Sequence, residues 1–144
     1  MKNIIKNLRI SGFTLLELLV VIGIMGVMMA LATVAYSATQ RSGRDARRKQ
    51  DMIAMQNALE QYYSANSFVY PATCSTAAVT HMKSNWPADP TNIAPYIYSE
   101  TCATASYCIC ATMENATSGN ATATTCVAGT FAKNSPYYCV GNLQ

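Results

Sequence analysis

The sequence predicts an α+β fold: a long N-terminal α-helix, membrane-spanning in its first half, packed on a small antiparallel sheet in a disulfide-stapled head. Three observations predict it. Residues 13–36 carry a single charge, Glu17, in 24 positions. Met55, Leu59, Tyr62 and Tyr63 then follow at spacings of 4, 7 and 8, an apolar helical stripe that needs a partner. All six cysteines lie beyond residue 73, among short runs rich in tyrosine, isoleucine and valine.

The chain has 144 residues, room for one domain. Charged residues make up only 12% of it and hydrophobic ones 51%, and much of the hydrophobicity sits near the N-terminus. Lys2, Lys6 and Arg9 precede the apolar run; without them seven basic side chains face seven acidic ones. The net charge of +3 is therefore a property of the first twelve residues, and it gives a nucleic-acid partner little support.

As a helix, residues 13–36 are about 36 Å long, enough to cross a bilayer core. The basic residues ahead of them place the N-terminal end on the cytoplasmic side. Gly23 and Gly26 lower helix propensity without forbidding a helix in lipid. Glu17 is the anomaly, since a charged, unpaired carboxylate there costs several kcal/mol. A secretory signal cut near Ala30–Ala32 leaves it unexplained, and so does an ordinary single-span anchor.

A basic leader ending in Gly12, then Phe13, Thr14, Glu17 and a long apolar run, resembles the signal of type IV prepilins and of the pseudopilins of type II secretion. The resemblance implies cleavage between Gly12 and Phe13 by a membrane aspartic peptidase, the prepilin peptidase, and N-methylation of Phe13. It also implies that Glu17 neutralises the terminal amine of a neighbouring subunit in the fibre. An amine or carboxylate left alone in an apolar core is strongly unfavourable, so the pairing selects axial register. The alternative is that Glu17 snorkels to the interface. The proline common in the later part of the family's membrane helix is missing here, where Val34 stands.

The next segment, "RSGRDARRKQDMIAMQNALEQYY", reads as a continuing helix. Its basic end offers Asp45–Lys49 and Arg47–Asp51 at i,i+4 spacing and is expected to be a solvated, salt-bridged face; contact with DNA or anionic lipid is the second reading. Ser42-Gly43 is a place where the helix can bend. Pro71 closes it off, and the proline-dotted span to Pro95 reads as loop. Residues 96–100, 106–114 and 135–142 read as about three strands, with a long loop or irregular hairpin between the last two. The expected organisation is thus a leader over 1–12, a transmembrane assembly helix over 13–36, its continuation over 37–65 and a globular region over 66–144.

Cys74, Cys102, Cys108, Cys110, Cys126 and Cys139 form an even set confined to the exported part, which predicts three disulfides in an oxidising space, with 15 connectivities open. Cys108 and Cys110 share one face of a strand and do not bridge easily to each other, so each needs a distant partner. The resemblance implies a Cys126–Cys139 loop closure, as in many type IV pilins. A thiolate metal site of Cys102, Cys108 and Cys110 is the competing idea, but it lacks paired C-x₂-C spacing, and no metal or cofactor is expected. Calcium-binding relatives in the family use acidic C-terminal loops; beyond Asp89 this chain has only Glu100 and Glu114.

His81 has no nucleophile to serve, and there is no phosphate loop or dinucleotide fingerprint, so the chain is expected not to be an enzyme. Asn115 and Asn120 each begin an N-x-T triplet, a weak signal in a prokaryote. The resemblance implies a fibre subunit of a type IV pilus or type II secretion pseudopilus. Its partners would be copies of itself, related pilin-like subunits, the prepilin peptidase and a membrane assembly platform. The precursor would sit in the cytoplasmic membrane by a single pass, with the head outside. The alternative from another class is a monomeric, membrane-anchored binding module with a stapled head.

Overall fold

A computed structural model describes residues 12–127 and 129–143, so residues 1–11 of the expected leader lie outside the described residues. The chain divides into two units, Met1–Ala38 and Thr39–Gln144, and helix α1, Leu15–Ala65, contributes to each.

In the first unit the helix is apolar all round. Side chains from Phe13 to Thr33 are exposed, including Leu15, Leu18, Ile22 and Met29. The most apolar 18-residue window has a mean hydropathy of 2.6, long and apolar enough to cross a membrane. Gly23 and Gly26 remain helical within a run of strong helix formers.

In the second unit α1 turns amphipathic. Met52, Met55, Ala58 and Leu59 are buried, a spacing of three, three and one that holds them on one face. Each large side chain so buried contributes about 1.5–3 kcal/mol. Ser42-Gly43 stays helical. The helix ends where Ser67 and Phe68 take left-handed backbone, φ 57° and 61°, so that the Phe68 N–H reaches back to the Tyr63 carbonyl at 3.0 Å. The span read as loop contains a short 3₁₀ turn, Cys74–Ala77, and one helical turn, α2, Ala78–His81; His81 meets Tyr62 edge-on at 6.0 Å.

The sheet has five antiparallel strands: β1 Ser99–Ala103, β2 Ser106–Thr112, β3 Gly119–Ala121, β4 Phe131–Ser135 and β5 Tyr137–Gly141, in the order β1-β2-β5-β3-β4. The expectation of about three strands is corrected here. The extra pair, β3 and β4, comes from the segment read as a loop or irregular hairpin, and it carries a register shift between Gly119 and Ala121. Gly, Asn, Ala and Lys are poor strand formers, and β3 exists because β5 lies beside it. Gly119 is required there: a Cβ would collide with the carbonyl oxygens of Tyr137 and Ser135.

Strand alternation sorts the two faces of the sheet. Tyr107, Ile109 and Ala111 of β2 and Val140 of β5 join Met52, Met55, Ala58, Leu59 and Tyr70 in the main core. Cys108 and Cys110 of β2 and Cys139 of β5 point the other way, into a second cluster with Ala121, Cys126 and Tyr137.

Candidate functional site

At the start of α1, Thr14 and Glu17 cap the helix reciprocally. The Thr14 N–H donates to Glu17 Oε2 at 3.0 Å, and the Thr14 hydroxyl donates to the same oxygen at 2.9 Å. The Glu17 N–H donates in turn to Thr14 Oγ1 at 3.2 Å. This is a capping box, satisfying donors that a helix start leaves orphaned. Glu17 therefore has a local partner, which the sequence reading missed although T-x-x-E ahead of an apolar run is its signal. Phe13 is 80% exposed, and Gly12 would have nothing within 4 Å of an added Cβ.

The six cysteines form three bridges: Cys74–Cys102, Cys108–Cys126 and Cys110–Cys139. The implied Cys126–Cys139 closure is thus corrected. The β2–β5 register sets Cys110 directly opposite Cys139 and Cys108 opposite Gly141. With no side chain at Gly141, Cys126 settles over it; a Cβ there would lie 3.4 Å from the Cys126 Cβ. The sulfurs that converge are those of Cys108, Cys110 and Cys126, within 4.8 Å of one another, not those of Cys102, Cys108 and Cys110. Engaged in bridges, they offer no thiolates to a metal.

The "RDARRK" stretch departs most from expectation. Arg48 is fully buried and Asp45 nearly so, which corrects the reading of this face as solvated. All five guanidinium N–H groups of Arg48 are used. Nε and Nη2 donate to the two oxygens of Asp89 at 2.6 and 3.1 Å. Nη1 donates to Asp45 at 2.8 Å and Glu114 at 2.9 Å, and Nη2 also to the Thr91 hydroxyl at 3.1 Å. Arg44 adds a two-pronged pair with Glu114, and the Arg48 guanidinium stacks 4.8 Å over Tyr96.

Asp45 is the second hub. It accepts from the backbone N–H groups of Glu114 and Asn115 and from the Ser118 hydroxyl, so it ties the turn after β2 to the helix. Arg44, and then Arg48, hold the Glu114 carboxyl down to about 2. Burial alone would raise the Asp89 carboxyl, but Arg48 and the N–H groups of Thr91 and Asn92 keep it below its ordinary value. Asp51 receives the Tyr98 hydroxyl at 2.8 Å, and Lys49 lies 5.6 Å from the Tyr138 ring, so the expected i,i+4 partners serve tertiary contacts. No spacing rule links Arg48 to Asp89 and Glu114, 41 and 66 residues away.

A third constellation ties down the C-terminal end. Glu60 accepts from the hydroxyls of Tyr70 and Tyr107 and from the Leu143 N–H, while Gln56 donates to the Gly141 carbonyl. Of the acidic pair beyond Asp89, Glu114 is committed to arginine and Glu100 receives the Trp86 indole N–H at 2.7 Å. Asn120 is committed as well, bonding Cys139 through both ends of its amide.

An exposed apolar helix with a glutamate in its first turn, followed in the chain by a helix-on-sheet head, resembles the type IV pilin-like family, and the comparisons with known proteins support that likeness. The family model for the prokaryotic N-terminal methylation motif matches residues 7–33. Two relatives are both described as type II secretion system core protein G. The one from Aeromonas hydrophila is 37% identical over 65 residues, 45% of either chain. The one from Vibrio cholerae is 32% identical over 95 residues, 66% of this chain and 60% of its own length. The chain thus spans less than two thirds of the length of either relative. No solved structure matches it. The family is structural, not enzymatic.

Proposed function

We propose that this chain is a fibre subunit of the pseudopilus type, serving a type II secretion system or a closely related pilus. The observation that carries the reading is Glu17, a carboxylate held by Thr14 at the head of a helix otherwise exposed and apolar through Thr33. The similarity to core protein G supports the secretion assignment.

The precursor lies in the cytoplasmic membrane by a single pass, with Lys2, Lys6 and Arg9 inside and the head outside. Prepilin peptidase cuts between Gly12 and Phe13, and the new Phe13 amine is methylated and remains cationic. Thr14 keeps the carboxylate satisfied while the subunit is alone in lipid. Both bonds from Thr14 fall on Oε2, and we assign Oε1 to the amine of the neighbouring subunit in the fibre. Copies of this chain and related pilin-like subunits are the partners, and a membrane platform drives their addition.

The mass of the mature chain and a Glu17→Gln variant test this. Loss of residues 1–12 is expected, with one methyl group added. Glu17→Gln should be cleaved and inserted but leave an ammonium unpaired in an apolar core, a loss of about 3–5 kcal/mol. That lowers incorporation about a hundredfold or more. A full-length, unprocessed chain would return the membrane-anchored binding module as the reading. Wild-type polymerisation by Glu17→Gln subunits expressed alone would refute the charge pairing.

A further inference from the structure

The three bridges are not equivalent in chain order. The first and second cysteines pair, Cys74–Cys102, but the other four interleave, third with fifth and fourth with sixth. When Cys126 meets an oxidant, Cys108 and Cys110 compete for it across loops of 18 and 16 residues. Loop-closure entropy changes only logarithmically with length, so it does not discriminate between them. The still shorter Cys126–Cys139 loop, 13 residues, competes too. Only the folded sheet distinguishes these pairings, because Cys110 faces Cys139 and Cys108 faces Gly141 once β5 has docked on β2. Oxidation ahead of docking therefore yields cross-paired chains.

The folded head also brings the sulfurs of neighbouring bridges together. Cys108 and Cys110 lie with their sulfurs 3.7 Å apart and the Cys126 sulfur within 4.8 Å of both, so a thiolate released from one bridge is in reach of the other. Cys110 and Cys139 are buried to 1% exposure, whereas Cys108 and Cys126 are half-buried and border an open cleft of about 300 Å³ with Thr101, Ser106, Thr125 and Asn142.

We propose that the head is a client of a thiol–disulfide isomerase, which enters at the Cys108/Cys126 side and uses the adjacency of Cys108 and Cys110 to convert cross-paired chains to the native bridges. The isomerase thiolate attacks one sulfur of a wrong bridge, such as Cys110–Cys126. A mixed disulfide forms, the S–S bond breaks, and the other cysteine leaves as thiolate. That thiolate attacks the second wrong bridge, Cys108–Cys139, and the released thiolate finally displaces the isomerase. One thiolate enters and one leaves, with no net oxidation. The inference is independent of fibre assembly, so its failure leaves the proposed function untouched.

The test is oxidation of the full chain, reduced and denatured and then diluted into detergent with dissolved oxygen and copper, after which the copper is chelated and oxygen excluded before the isomerase is added. Bridges are mapped by mass spectrometry of alkylated peptides, which reads the pairing whether or not a chain has folded. Wild type is expected to give mixed pairings, and catalytic reduced protein disulfide isomerase should accelerate native pairing about tenfold or more. Cys110→Ala/Cys139→Ala and Cys108→Ala/Cys126→Ala each leave only consecutive pairs, and both should reach native pairing without the isomerase. Cys74→Ala/Cys102→Ala keeps the interleaved set and should still need it. Native wild-type bridges formed equally fast without isomerase, or equal dependence in all three variants, overturn the proposal.

Discussion

Replacing Arg48 with alanine is the most searching perturbation of the head. It removes a guanidinium whose five bonds reach Asp45, Asp89, Thr91 and Glu114. The carboxylates left behind are almost wholly enclosed, with side-chain exposures of 5%, 0% and 8% for Asp45, Asp89 and Glu114. Glu114 retains Arg44, but Asp89 loses its only ion-pair partner among the described residues. Water cannot replace the lost donors without opening the site. A broken buried pair costs about 3–5 kcal/mol. At roughly 4 °C or more per kcal/mol for a domain of this size, the melting temperature should fall by about 12 °C or more. Near-UV circular dichroism of the tyrosine-rich head would follow the transition. Arg48→Lys should fall between the two, because an ammonium offers three donors for five acceptors. If Arg48→Ala melts within about 2 °C of wild type, the carboxylates are not held as described, and the buried centre is not a stability determinant.

Four other outcomes follow from the same contacts. The Asp89 and Glu114 carboxyls are depressed on folding, so their stabilisation is fully present above about pH 4.5 and disappears as pH falls toward 2; acid melts should show this for wild type and a flatter profile for Arg48→Ala. Burial, and then the carboxylates of Glu60 and Asp51, raise Tyr70, Tyr98 and Tyr107, so stability present below pH ~10 should be lost above it, with three tyrosines ionising late in an ultraviolet titration. Gly119→Ala should destabilise the head by roughly 2 kcal/mol or more, read as a lower denaturation midpoint, because the new methyl group meets two backbone carbonyls that only a shift of β3 can clear. Thr14→Ala should cost the start of α1 about 1 kcal/mol and fray its first turn, seen as faster amide exchange at Leu16 to Leu18, while Thr14→Ser should retain protection.

The elements readable from sequence are those governed by local periodicity. A 24-residue run with one charge needs no tertiary context to be a membrane-length helix, and Met55, Leu59 and Tyr62 declare the face that packs. Even the Thr14–Glu17 cap was written in its i,i+3 spacing. An even cysteine count confined to one region announced bridges, and alternation in β2 set Cys108 and Cys110 on a common face. Pairing was another matter, because partners are chosen by strand register, and the register of β2 on β5 depends on which side chains the helix covers. The same limit hid the arginine centre. Asp89 and Glu114 lie 41 and 66 residues from Arg48, and a charged side chain in a polar stretch carries no local mark of being buried. Strands β3 and β4 likewise form from poor strand formers because β5 offers an edge. Sequence determined each segment's preferred form and facing; only the assembled head brought the distant charges and sulfurs within bonding range, since those energies depend on separations the chain acquires by folding.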